Sequence, residues 1–287
     1  TAMWMIGEYG DLILLPYDDS PSVQRLHGKA APKHFDAAAP AHVLDVLEET
    51  SKGAHVTTET KELLLTAISE NTALSAQEKG DLRGECDLIM SFLCYNDISA
   101  MSRLHRSASA QMSRKAISIQ SGGGWTFGSP SVLMMFYRAP GELESELREM
   151  DECMPHYYRI TDGHGQGAET IMRAEALFCR GRFTDAHIEL ERAYAEIRDN
   201  GQENMALCCD FLAWRLSLCA EVEPELTLEE RREALLRQHN ASWLNLWNAV
   251  SAYCHALSGE MEQIPEVFAE HRLASVSILA PGRPMIE

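Results

Sequence analysis

Apolar residues in this chain recur mostly at three- and four-residue intervals, the spacing that gathers them on one side of an α-helix. Leu63, Leu64, Ala67 and Ile68 begin the series, and Leu143, Leu147, Met150, Met154 and Tyr157 repeat it. Cys209, Leu212, Leu216 and Cys219 form a third stripe, and Trp243, Leu246, Trp247, Val250, Cys254 and Leu257 a fourth. No segment alternates with period two strongly enough to predict a sheet. Helix starts are marked chemically as well. Ser75 with Glu78 and Thr227 with Glu230 have capping-box spacing, in which two side chains satisfy each other's otherwise unpaired backbone amides. Asn96 and Asp97 separate two helices, Ser129 and Pro130 read as an N-cap and first helical residue, and Pro140 opens the next helix. The run TDGHGQG ends that helix, Gly259 closes another, and a helix around Ile264 to His271 is expected to fold back. A short helix is also predicted from Pro40 to Glu49.

The stretch from Ala168 to Tyr194 reads as helix, Gly-centred turn and helix, the grammar of a tetratricopeptide-type (TPR) repeat. With Gly181 on the turn position, Ala174 and Ala186 fall on the small contact positions, and Leu177, Phe183 and Ala193 also match. Thr170, Arg173 and Arg198 stand where the pattern has Trp, Leu and Pro. Aligning Asn96 with Gly181 superposes LCYNDISAM on FCRGRFTDA, a faint internal repeat. The expected fold is all-α, a TPR-like α-solenoid of stacked helical hairpins over residues 56–287. Residues 1–55 are expected to form a poorly defined N-terminal segment with one short helix. Because the sequence opens on TAMWMIG and stops at PGRPMIE, it is expected to be truncated at both ends relative to a longer parent protein.

Composition narrows the function classes. The 287 residues carry 25 Lys+Arg against 43 Asp+Glu, a formal net charge of −18. Phosphate backbones require cations, so direct nucleic-acid contact is not expected from this segment. Eight cysteines occur without a CxxC pair. Their apolar surroundings suggest buried, reduced thiols, and the lone CxxH of Cys153 and His156 has no second half, so no metal site is predicted. No membrane span and no leader are predicted either, and a cytoplasmic location is expected.

Chemical motifs are sparse. The run SGGGWTFGS at 121–129 lacks the GK[ST] and the preceding strand of a phosphate loop. The glycines of GHGQG at 163–167 read as helix terminators. No GxSxG or HExxH occurs, so no catalytic residue and no cofactor are predicted. What remains is a concentration of aromatic and polar side chains near the middle, from which Trp125, Phe127, Arg138, Tyr157, His164, Glu169 and Arg173 form the candidate ligand-binding set. The competing reading makes most of them core aromatics and Glu169–Arg173 an ordinary i,i+4 surface pair.

The segments FLCYNDISAMSRLHRSA, WTFGSPSVLMMFYRAPGELESELREMDECMPHYYR and TDGHGQGAETIMRAEALFCRGRFTDAH resemble the helical-repeat region of large LuxR-type transcriptional regulators of the maltose-activator kind. The resemblance covers about residues 60–280. In that family a nucleotide-binding switch module precedes an inducer-sensing superhelix, and a carboxy-terminal helix-turn-helix binds DNA. The resemblance implies only the superhelix here. The function it implies is a sensor or regulatory domain whose partner is a small-molecule effector or a partner protein domain, with self-association as a further option. The alternatives are a TPR-like interaction scaffold without a small-molecule ligand and, more weakly, an enzyme of unrecognised type.

Overall fold

The computed structural model describes residues 54–265 apart from 93, 95–96, 120–129, 138–139, 221–222, 225 and 238–240. The N-terminal segment, the Pro40–Glu49 helix, most of the Ile264–His271 helix and the Asn96 position of the internal repeat lie outside the described residues. Those described form ten α-helices and no strand, so the described residues are all-α as the periodicity predicts. They are α1 (Ala54–Glu70), α2 (Ala76–Phe92), α3 (Ile98–Gln111), α4 (Val132–Phe136) and α5 (Leu143–Thr161), then α6 (Ala168–Cys179), α7 (Phe183–Asn200), α8 (Glu203–Ser217), α9 (Leu228–Arg237) and α10 (Ala241–Ser258). The chain divides into two compact units, one running to Gln120 and including Pro155–Asp162, the other holding Ser121–Met154 and everything from Gly163 onward. Helix α5 passes from one to the other at Pro155, an interior position that cannot donate a backbone hydrogen bond.

In the first unit α1 and α2 pack around Leu64, Ile68, Leu74, Leu82, Cys86 and Ile89, with Ile117 added from the segment after α3, and α3 packs on α2. The predicted capping box opens α2. The Ser75 amide and hydroxyl both donate to Glu78 Oε2 at 2.9 Å, and the Glu78 amide donates to Ser75 Oγ at 3.2 Å. Asp97 caps α3 by accepting the Ala100 amide at 2.9 Å. Two glycines inside α2 would weaken a solitary helix by about 1 kcal/mol each relative to alanine. Here they admit the end of α3. A Cβ on Gly84 would lie 2.2 Å from Met112 Cγ and 3.1 Å from the Ala108 carbonyl oxygen, and one on Gly80 would lie 2.9 Å from the Gln111 carbonyl oxygen.

Each glycine precedes a buried carboxylate in the pattern GDLRGE. Asp81 accepts the Ser113 amide at 2.7 Å. Glu85 accepts the Ile117 amide at 2.7 Å, the Ser118 hydroxyl at 2.6 Å and Arg114 Nη1 at 3.1 Å. Burial pushes the Glu85 carboxyl up from its ordinary pKa, and these same donors pull it back. Asp87 joins Lys61 of α1 to Ser107 and Gln111 of α3.

In the second unit α6 and α7 form the predicted hairpin. Ala174, Ala186 and Ala193 are fully buried, so the small positions do mark the interface. Gly181 turns the chain with φ +71°, and the Arg182 amide reaches back to the Leu177 carbonyl at 3.0 Å, closing a Schellman motif. Helix α7 packs on α8, α8 on α6 and α10, and α10 on α9. Leu207, Phe211, Trp214, Leu235, Leu246, Trp247, Val250 and Cys254 form the core of that end. Both indoles keep their N–H groups satisfied, Trp214 on the Leu226 carbonyl at 3.1 Å and Trp247 on the Leu228 carbonyl at 2.9 Å.

Several local expectations shift. Helix α4 is capped by Ser131, which accepts the Met134 amide at 3.0 Å, two residues after the predicted Ser129. Pro140 and Gly141 form a turn and α5 begins at Leu143. All eight cysteines are free, yet Cys179 and Cys219 are exposed, because α6 ends at Cys179 and α8 stops at Ser217, before Cys219. Leu257 also leaves its stripe and is exposed at the end of α10.

Two alanine substitutions separate the roles of these glycines. Gly84→Ala should destabilise the protein by about 1–3 kcal/mol through overpacking against Met112 and the α3 carbonyl, despite its better helix propensity. Gly181→Ala should cost about 1–2 kcal/mol from left-handed backbone strain alone, since a Cβ there meets nothing within 4 Å. Urea denaturation checks both. A Gly84→Ala protein as stable as wild type would contradict the close approach.

Candidate functional site

The polar pair that breaks the repeat pattern on α6 lies at the centre of an ionic cluster. Thr170 is buried, and its hydroxyl donates to Glu196 Oε2 of α7 at 3.0 Å while accepting Arg173 Nη2 at 3.0 Å. Arg173 pairs closely with Asp151 of α5 and lies 3.5 Å from Glu189 Oε2 of α7. Arg192 holds the other Glu189 oxygen at 2.7 Å. Two carboxylates, one from α5 and one from α7, thus face a guanidinium that keeps about 29% of its side-chain surface in solvent, and a third, Glu196, joins the cluster through Thr170. An apolar Trp and Leu at these positions would have sealed the hairpin; Thr and Arg instead make it a polar surface rich in acceptors.

Behind this cluster the second unit contains a fully enclosed charge pair. Glu175, one turn beyond Ile171 on α6, has no exposed surface. Its Oε1 accepts Arg215 Nη2 of α8 at 2.6 Å, and its Oε2 accepts the Leu133 amide at the start of α4 at 2.9 Å. The Arg215 guanidinium rests over the Phe211 ring at 4.3 Å and the Phe178 ring at 5.2 Å, and its Nε reaches the Phe211 carbonyl at 3.4 Å. Asp210, one turn earlier on α8, is equally buried and accepts the Tyr194 hydroxyl at 2.7 Å and Arg231 Nη2 at 3.2 Å.

The remaining predicted residues fall in different places. Trp125, Phe127 and Arg138 lie outside the described residues. Tyr157 belongs to the first unit, where it is 1% exposed and its ring lies 4.6 Å from that of His105. It serves as core packing there, and burial pushes its hydroxyl pKa upward. His164 and Glu169 belong with Arg173 to the second unit. His164 is buried in the glycine-rich turn, whose Gly165 amide is held by Gln202 Oε1 at 2.9 Å, and Glu169 is half-buried in the first turn of α6. Sequence reasoning passed over Asp151, Glu189 and Glu196, which look like solvated helix acids; the buried Glu175 belongs to the same central concentration of polar side chains as Arg173 but not to the candidate set. Glu175 carries one signal, its place among Ile171, Ala174 and Phe178 on the apolar side of α6.

The chemistry these groups can support is binding by charge and hydrogen bonding. Ser91 and His105 are 2.9 Å apart, but the Ser91 hydroxyl proton goes to the Leu88 carbonyl at 2.5 Å, so the imidazole Nε2 donates to Ser91 rather than accepting from it. That is the wrong direction for activating a nucleophile. Thiols fare similarly. Burial pushes Cys86 and Cys254 up to about 12, and partial desolvation by neighbouring groups raises Cys94 and the solvent-exposed Cys179, leaving little thiolate at these four near neutral pH.

No family model, curated protein or solved structure matches this chain. Among the described residues no helix is long and apolar enough to cross a membrane, and no group of His, Cys, Asp and Glu is arranged to hold a metal ion.

Two measurements test the buried charges. Arg215→Ala strands the Glu175 carboxylate and should cost about 3–5 kcal/mol, whereas Glu175→Gln combined with Arg215→Met should cost less than that single change. Additive losses in urea denaturation would show that the pair is not coupled. The second concerns acid. Burial drives the His105 pKa down to about 3, so below pH 6.5 the unfolded chain takes up a proton that the folded chain refuses until about pH 3. Stability should therefore fall across that window by up to about 1.4 kcal/mol per pH unit. The raised Glu85 pKa acts with the opposite sign, favouring the fold as pH drops. The His105 share is read as the steeper loss of wild type relative to His105→Gln between pH 6.5 and 4. Parallel slopes would overturn the assignment.

Proposed function

We propose that this chain is the sensor or regulatory part of a LuxR-type transcriptional regulator, a TPR-like helical stack that binds an effector and biases a switch elsewhere in the parent protein. The observation that carries the reading is the ionic cluster of Thr170, Arg173, Asp151, Glu189 and Glu196 on the α5, α6 and α7 surfaces. A repeat used purely as a spacer has no need of polar groups at its Trp and Leu positions. Two carboxylates beside one partly exposed guanidinium, with a third linked through Thr170, suit an effector that supplies several hydrogen-bond donors, a polyhydroxylated or amine-bearing metabolite. Coupling to a switch then requires that the effector favour one arrangement of the helices over another.

The hairpin of α6 and α7 supports the same reading, since its Gly181 turn and buried alanines reproduce the packing grammar of helical repeats. Stacked hairpins suit sensing because small displacements between neighbours accumulate along the array.

A thermal-shift screen of sugars, amines, small acids and aromatic metabolites tests the proposal. At least one polyol or amine should raise the melting temperature, because a ligand selective for the native state stabilises it by mass action. The response should disappear in a Glu189→Gln, Glu196→Gln variant that still melts cooperatively. If every metabolite class is silent while a peptide library shifts the melting curve, the interaction-scaffold function replaces this one.

A further inference from the structure

We propose that the acidic face of α2 is a recognition site for short basic peptides of the pattern Ser-Arg-x-x-Ile-Ser, and that residues Ser113–Ile119 occupy it as an intramolecular pseudo-ligand. The proposal stands apart from the effector site on α6 and concerns the first unit alone.

The segment after α3 is non-helical and is gripped largely by side chains, with one backbone hydrogen bond, from Ala116, beside them. Asp81 accepts both the amide and the hydroxyl of Ser113, at 2.7 and 3.0 Å. Glu85 takes the Ile117 amide, the Ser118 hydroxyl and the Arg114 guanidinium, whose Nε also lies 3.8 Å from Asp81. The two carboxylates stand one helical turn apart, about 6 Å along α2. Together they read two main-chain N–H groups four residues apart, two hydroxyls and one positive charge. Ile117 supplies the apolar contact, packing against the core of Leu64, Ile68, Leu82 and Ile89. On its other side the segment meets the C-terminal turn of α5, where the Ile160 carbonyl accepts the Ala116 amide at 2.6 Å.

These contacts define a ligand by its chemistry: a backbone with free N–H groups at the first and fifth positions, a cation at the second, a β-branched residue at the fifth and a hydroxyl at the sixth. The outer edge of the bound segment faces solvent. Ser113 and Lys115 are exposed and Arg114 keeps about 30% of its side chain in solvent, so lifting the strap admits water to Asp81 and Glu85 instead of sealing unpaired charges inside. A peptide with the same groups could then take its place, against the high effective concentration of the tethered copy.

Two measurements on the full chain decide the matter. In native-state hydrogen exchange of wild type, the Ser113 and Ile117 amides should open at least a hundredfold more readily than the α2 amides from Leu82 to Ile89, as a strap that lifts by itself must. Equal protection makes the segment part of the cooperative core and overturns the proposal. Next, a fluorescein-labelled peptide of residues 113–119 with blocked ends is titrated into a variant carrying Arg114→Gly, Ile117→Gly and Ser118→Gly, and anisotropy is followed. Saturable binding is expected, at least tenfold weaker once Glu85→Gln is added, and undetectable in wild type at the same concentrations. No binding to an emptied variant that still melts cooperatively overturns the proposal. If that variant does not fold, the exchange experiment alone decides.

Discussion

Carrying a carboxylate into a helical interior costs several kcal/mol unless donors surround it, and Glu175 meets that requirement by drawing three elements together. One oxygen takes the Arg215 guanidinium from α8 and the other takes the Leu133 amide from α4, while the residue itself rides on α6. Neither α4 nor α8 can shift without uncovering this charge, so the pair fixes how the α6–α7 hairpin meets its neighbours. The repeat-like alanines bring α6 and α7 close; the buried ion pair decides what else may approach. Asp210 performs the same service for α7, α8 and α9 through Tyr194 and Arg231. Because the polar cluster at Arg173 grows from the same α6, its geometry rests on that enclosed pair.

Much of the helix punctuation was legible because it depends on neighbours in sequence. Ser75 with Glu78 and Thr227 with Glu230 cap the helices that they were expected to cap, and the Gly181 turn follows from a residue free to adopt positive φ. The Ser129 expectation missed Ser131 because both serines flank Pro130 and local chemistry does not choose between them. Burial of charge was the harder matter. Glu85, Glu175 and Asp210 occupy the core, yet an isolated acid on a helix reads as solvated until its long-range donors are known. The pattern GDLRGE held one clue, since two glycines inside a helix signal close packing and the acids beside them share that crowded side.

The candidate site was legible in part for the same reason. Arg173 and its neighbour Thr170 stood out as departures from a repeat pattern, and the structure surrounds them with carboxylates from α5 and α7. Tyr157 stood out only as an aromatic among polar residues. Its spacing with Met150 and Met154 equally marks the buried stripe of α5, and packing against His105 is how the fold uses it.

The two units answer the problem of buried anions with different donors, and the difference bears on what each can bind. No lysine follows Lys115 in the sequence, so the later cations other than histidine are guanidinium groups. A planar guanidinium can face Glu175 along one edge while its surfaces rest on Phe211 and Phe178, which a compact, strongly hydrated ammonium could not do. That arrangement is permanent, since both partners are anchored on helices and removing either leaves a charge without water. In the first unit Asp81 and Glu85 depend on a strap whose outer edge faces solvent, and its departure would hydrate them. An anion held by a helix is therefore a structural fastening, whereas an anion held by a strap can exchange one partner for another.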